Sequence, residues 1–133
     1  AQIYSNFYGT PKGPVMKYLE EGSDVILEIE MQGARQVKEM YPEAVLIFVL
    51  PPSLEELRNR LTTRGTETQE QVNERLSTSF EEIKQVKDYN YFIFNENNKT
   101  TESAMIIENL IVAEKNKASR YEKAIIKKFE EEL

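Results

Sequence analysis

Three arginines in RLTTRGTETQEQVNERL, residues 60–76, carry the clearest chemical signal in this sequence. Arg60 and Arg64 are four apart, so a helix projects both from one face. Gly65-Thr66-Glu67-Thr68 breaks the pattern, and Arg75 returns on a second helix. Such a helix–loop–helix can present several guanidinium groups to one polyanion. Arginine suits that task because its planar fork pairs with phosphate oxygens at two points. The alternative for three arginines alone is a solvated helical face.

The elements that position these side chains follow from the hydrophobic pattern. Val25–Ile29 is a short apolar run and reads as a strand buried on both faces. A helix is expected near Ala34–Met40, and a second strand over Ala44–Leu50 stops at Pro51-Pro52. Ser53 reads as a helix N-cap, with Glu56 at the capping-box position. Leu54, Leu57 and Leu61 then repeat at helical spacing, and Glu70–Lys87 reads as an amphipathic helix through Val72, Leu76, Phe80 and Ile83. Tyr91–Phe94 is the third expected strand. A helix capped by Thr100 or Thr101 follows, then a charged helical segment over 114–133. Upstream, Val15–Glu21 reads as a short helix behind an aromatic, turn-like start.

That alternation is the order of an α/β unit with a parallel sheet. Ligands bind such sheets beyond the carboxyl ends of the strands. Glu28 and Glu30, Pro51-Pro52 and Asn95 are all expected there.

Composition narrows the chemistry. The sequence has 133 residues, 40% hydrophobic and 30% charged, enough for one ordinary globular domain. Its net charge of −6 argues against a general nucleic-acid partner, so any anion site is a local positive patch on an acidic protein. With no cysteine and no histidine, disulfides, thiolate metal sites and histidine-based acid–base relays drop out. No apolar run approaches the roughly 20 residues of a membrane-spanning helix, so no membrane partner is expected. The chain opens at Ala1 in a segment that reads as mid-domain, so an N-terminal truncation is expected.

With these segments in view, the chain resembles guanylate kinase of the bacterial type, a P-loop nucleoside monophosphate kinase. The resemblance rests on NFYGT (6–10), LEIEMQGARQV (27–37), VLIFVLPPSLEELRNRL (45–61), RGTET (64–68), NERL (73–76) and IFNEN (93–97), in the family's order. It implies a three-layer α/β fold around a parallel sheet, and transfer of a phosphoryl group from ATP to GMP with Mg2+, in the cytoplasm. It implies that Tyr8 binds the GMP phosphate, that Thr10 meets the guanine O6, and that Glu28 and Glu30 lie at the nucleotide and metal centre on the GMP side. Glu30 stands where Asp is usual. Arg60, Arg64 and Arg75 fall on the catalytic lid arginines, with Arg60 nearest the adenine, and Asn95 falls where the family touches ATP. Without the resemblance, Tyr8 reads as a packed aromatic and Asn95 as a turn residue.

The sequence contains no GxxxxGK[ST], the loop that cradles the ATP phosphates. The resemblance therefore implies an incomplete sheet, lacking the P-loop and its N-terminal strand, and no activity for this stretch alone. No metal ligand is assigned within it. Residues 1–23 are expected to belong to the GMP-binding segment, 24–113 to the core with its lid near 60–76, and 114–133 to a helical tail. Strands 25–29 and 44–50 are expected to close directly on each other or to recruit another chain as a homo-oligomer or domain-swapped dimer. The competing function is a non-catalytic guanylate-kinase-like protein-interaction module.

Overall fold

A computed structural model describes the backbone of residues 2–3, 6–7 and 12–133, with side chains from 12 onward. Tyr8 and Thr10 lie outside the described residues. The chain divides into two compact units, 1–44 and 45–133.

The first unit holds a short antiparallel pair, β1 (Gln2–Ile3) with β2 (Asn6–Phe7), and two helices, α1 (Lys12–Glu20) and α2 (Met31–Met40). Helix α1 starts three residues ahead of the expected Val15. Pro14 does not block it, because a first-turn N–H has no intrahelical acceptor. Gly22, at φ 89°, closes the helix. Its N–H reaches the Leu19 carbonyl and the Ser23 N–H reaches the Tyr18 carbonyl, each at 3.0 Å. That is the paired closure of a left-handed C-terminus, which glycine adopts without strain.

The expected strand over Val25–Ile29 does not form: residues 23–30 carry no regular secondary structure. A strand exists only through a ladder partner, and these residues have none among the described residues. Ile26 is 67% exposed, which no doubly buried strand would allow.

The second unit begins with β3 (Ile47–Leu50), which pairs in parallel with β4 (Tyr91–Phe94) in the register Ile47↔Tyr91 to Leu50↔Phe94. The strand is shorter than the expected Ala44–Leu50. Its entry is set by Asn90, whose Oδ1 accepts from the Leu46 N–H at 2.8 Å. Between the strands run α3 (Leu54–Arg64), α4 (Gln69–Ile83) and a 3₁₀ turn, Lys84–Asp88. Helix α4 was expected to run to Lys87. Its last turn tightens instead, and the Tyr89 N–H closes on the Val86 carbonyl.

Leu61, Val72 and Leu76 are buried together, with Leu57 against them, and this cluster joins α3 to α4. The leucine and valine spacings place these residues on the facing sides of the two helices. Across the same interface Arg58 Nη1 donates to Asn73 Oδ1 at 2.9 Å.

After β4 come α5 (Thr100–Lys115) and α6 (Ala118–Glu130). The expected threonine cap of α5 is not made. Thr100 is already helical, and the cap position falls to Lys99, whose side chain makes no capping bond and pairs with Glu96 at 2.7 Å. A part-buried network around the buried Glu114 fastens the end of α5. Tyr91 donates its hydroxyl proton to Glu114 Oε1 at 2.7 Å, and Arg120 Nε donates to Glu114 Oε2 at 2.6 Å. β4, α5 and α6 are thereby tied through one carboxylate. The Tyr91 hydroxyl and the Arg120 guanidinium hold the Glu114 carboxyl below its ordinary value, against the opposing pull of burial.

Two measurements check these contacts. Leu76→Ala is expected to destabilise the protein by about 2–5 kcal/mol, as loss of a buried leucine side chain does, read by equilibrium denaturation. Glu114 has a depressed folded value, so its contribution is present above the ordinary carboxyl value of 4.5 and is lost as pH falls through the folded value. Thermal melting across the acid range is expected to show the gap between the natural protein and Glu114→Gln narrowing as pH drops below about 4.5.

Candidate phosphate-binding site

Within the second unit, the residues that follow both strands form a groove. It is open, about 910 Å3, and is lined in part by Ser53, Glu56, Asn59, Arg60, Arg64 and Asn97. Ser53 follows β3 and Asn97 follows β4, so the groove lies beyond the carboxyl ends of the parallel strands, where α/β sheets bind ligands.

Ser53 starts α3. Its Oγ accepts from the Glu56 N–H at 3.0 Å, as the sequence suggests. The other half of the capping box is absent, because the Glu56 carboxylate turns elsewhere. Glu56 Oε1 takes a bond from Arg60 Nη2 at 2.9 Å and another from Asn97 Nδ2 at 3.0 Å. Arg60 Nη2 also donates to Asn97 Oδ1 at 2.9 Å and to the Asn95 carbonyl at 3.3 Å. Asn95 is itself fixed, since its N–H extends the ladder to the Leu50 carbonyl at 2.7 Å. The two residues assigned to ATP from sequence, Arg60 and Asn95, are thus brought into contact. A second cavity, about 260 Å3, is also lined by Arg60 and Asn95, together with Leu50, Pro51 and Leu57.

Arg64 lies one turn further along α3 and lines the same groove as Arg60. It is exposed and makes no hydrogen bond or ion pair among the described residues. Gly65, at φ 66°, then ends the helix, with its N–H on the Thr62 carbonyl at 3.0 Å. Thr68 and Gln71 open α4 with a complete capping box, which pins the far end of the loop.

Arg75 is not among the residues lining the groove. It sits on α4, and its Nη2 lies 3.0 Å from Glu67 Oε1. The three arginines therefore divide: Arg60 and Arg64 face one groove, and Arg75 is held by the loop between the helices.

In the first unit, Glu28 is exposed. Glu30 caps α2: its Oε1 accepts from the Gly33 N–H at 2.9 Å and its Oε2 from the Gln32 N–H at 3.0 Å. The carboxylate also suits the positive end of the helix. A side chain at position 33 would start 3.0 Å from Glu30 Oε1, so glycine there keeps room for the cap.

Among the described residues, no group of three or more acidic side chains could enclose a metal ion. Both oxygens of Glu30 are already committed to backbone N–H groups. The described residues therefore do not form a protein-built Mg2+ cage. No helix among them is long and apolar enough to cross a membrane.

Three residues of the site were not singled out from sequence: Glu56 as a partner of Arg60, Asn97 and Glu67. Glu56 stands four before Arg60, a spacing that signals an ion pair. Asn97 and Glu67 meet their partners only through tertiary structure.

The parallel strands, flanking helices and groove define an α/β protein of the P-loop nucleoside monophosphate kinase fold, with an incomplete sheet. The family model for guanylate kinase matches residues 1–114. The chain belongs to the guanylate kinase family. It is 64% identical over its whole length to guanylate kinase of Clostridioides difficile (strain 630) and 46% identical to that of Caldanaerobacter subterraneus subsp. tengcongensis, in each case spanning 64% of the relative's length. The crystal structure of guanylate kinase from Anaplasma phagocytophilum superposes with a TM-score of 0.68 at 36% identity, covering 88% of this chain and 54% of that one.

Proposed function

We propose that the whole protein carrying this chain is a guanylate kinase, which transfers the γ-phosphoryl group of ATP to GMP. In that reaction a phosphate oxygen of GMP forms a bond to the γ-phosphorus. The bond from that phosphorus to the β–γ bridging oxygen breaks, and GDP and ADP are the products. The observation that carries this reading is the family match over residues 1–114 combined with a groove that presents Arg60 and Arg64 beyond the strand ends.

The residue chemistry supports it. Phosphoryl transfer has a loose transition state with charge spread over the phosphoryl oxygens, so catalysis is chiefly positioning and electrostatics. Arginines can supply both, and a sequence with no histidine or cysteine loses nothing needed for this reaction. In this reading Arg60, steadied by Glu56 and Asn97, serves the ATP side with Asn95. Arg64 and Arg75 neutralise charge on the group in transfer. Tyr8, Thr10 and Glu28 serve GMP, and Glu30 orders the backbone at the start of α2. Mg2+ accompanies the ATP phosphates, as it commonly does in kinases.

The same reading gives the chain its division: residues 1–23 in the GMP-binding segment, a core over 24–113 with its lid near 60–76, and a helical tail from 114. The protein acts in the cytoplasm, and its acidic net charge argues against nucleic acid as a partner. Exposed Ile125, Ile126 and Phe129 on α6 support self-association of the isolated stretch.

A coupled assay is expected to show GMP-dependent ADP formation by the whole protein, and none by residues 1–133 alone. Arg64→Ala in the whole protein is expected to lower kcat by roughly 10³–10⁵, the range seen for transition-state arginines, with a much smaller change in GMP affinity. Near-natural kcat would return Arg64 to the solvated surface. Phosphopeptide binding without any turnover would instead make the protein an interaction module.

A further inference from the structure

Glu67 is an acidic residue set between arginines, in a protein whose proposed ligands are anions. Its placement needs a reason. The side chain is only 13% exposed, although it lies in a loop, whereas its partner Arg75 is 53% exposed. One oxygen, Oε1, lies 3.0 Å from Arg75 Nη2. The other, Oε2, is buried and has no hydrogen-bond partner among the described residues. A buried, unsatisfied carboxylate oxygen is unfavourable, and an ion pair to a half-exposed arginine contributes little stability to offset it.

The loop is built to hold this carboxylate still. Gly65 fixes its start in the left-handed conformation, and the reciprocal Thr68–Gln71 capping box fixes its end. Glu67 stands between two pinned points. Arg75, by contrast, is a long side chain with many rotamers, on an exposed position of α4. The salt bridge is a single-point contact through Nη2. A guanidinium has five N–H donors, so most remain available for an anion. Arg75 is the solvent-exposed member of the pair and Glu67 the shielded one, so the guanidinium is the part of the pair that an anion in solution can reach.

We infer that Glu67 is a positioning residue for the reaction: it holds the Arg75 guanidinium in place for the phosphoryl group in transfer. This rests on the guanylate kinase reading above. Glu67 touches no substrate and acts only through Arg75.

The test is a double-mutant cycle in the whole protein, with kcat and KM for GMP and ATP measured for Glu67→Gln, Glu67→Asp, Arg75→Ala and the combination Glu67→Gln with Arg75→Ala. Misplacing a catalytic group by an ångström can cost on the order of 100-fold. Glu67→Gln is therefore expected to lower kcat by about 10- to 100-fold with KM nearly unchanged, and Glu67→Asp, which keeps the charge, to recover part of that loss. In the Arg75→Ala background, Glu67→Gln is expected to have no further effect. Losses that multiply in the double variant would overturn the inference, because Glu67 would then act without Arg75. So would natural kcat in Glu67→Gln while Arg75→Ala is impaired. Natural kcat in Arg75→Ala would remove the lid reading itself, a distinguishable failure. Melting curves accompany each variant. If Glu67→Gln does not fold, the same cycle with Glu67→Asp decides: a kcat loss that vanishes in the Arg75→Ala background supports the inference, and one that persists there overturns it.

Discussion

The contact of Leu61 with Val72 and Leu76 underlies the geometry of the groove and of the loop beside it. These side chains carry no chemistry, but they set where α4 lies against α3. Arg60 and Arg64 leave α3 three residues after Leu57 and Leu61 respectively, and Arg75 leaves α4 one residue before Leu76. A rotation of either helix would move an arginine in proportion. Fixed interior packing matters because interiors are dense and shift little without cost. The Arg58–Asn73 hydrogen bond adds a direction-dependent contact to an otherwise non-directional one.

Around this frame, the two paired arginines differ in how they are held. Arg60 is held from both sides, by a carboxylate on its own helix and by Asn95 and Asn97 after β4. It therefore links the helical pair to the sheet. Arg75 is held by one carboxylate in a pinned loop. Arg64 is left available, exposed and unpaired among the described residues. An acidic protein can thus keep cationic side chains ready for an anion, provided each acidic neighbour spends its charge on orientation instead of closing the site. Glu56 and Glu67 both fit that description, and Glu30 does the same for a helix N-terminus in the first unit.

How much of this was legible in the sequence depends on how local the cause was. The β4 strand, the Ser53 cap and the break at Gly65 were readable, because each follows from a few adjacent residues. Leu57, Leu61, Val72 and Leu76 were readable as helix faces for the same reason. Val25–Ile29 was not: its composition says strand, but strand formation depends on a partner that composition does not specify. Glu30 reads as a site acid, yet its nearest claims are the backbone N–H groups two and three residues ahead, a use of carboxylates that competes with ligand binding. The Arg75–Glu67 pair depends on the path of a loop. The Glu114 network joins residues 23 positions apart, beyond any periodic pattern.

The helical pair and the sheet also differ in how far apart in sequence their contacts lie. Arg58 meets Asn73 across 15 positions, and the cluster of Leu61, Val72 and Leu76 is equally local. The contact of Leu46 with Asn90, at the mouth of the parallel ladder, spans 44. Closing a longer stretch costs more chain entropy before any contact rewards it, and distant strand pairing is correspondingly slow. The arginine-bearing helices are therefore expected to assemble ahead of the two strands they lie between, so that β3 and β4 meet around a helical hairpin already formed. Pulsed hydrogen exchange that showed β3 and β4 protected before α3 and α4 would reverse that order.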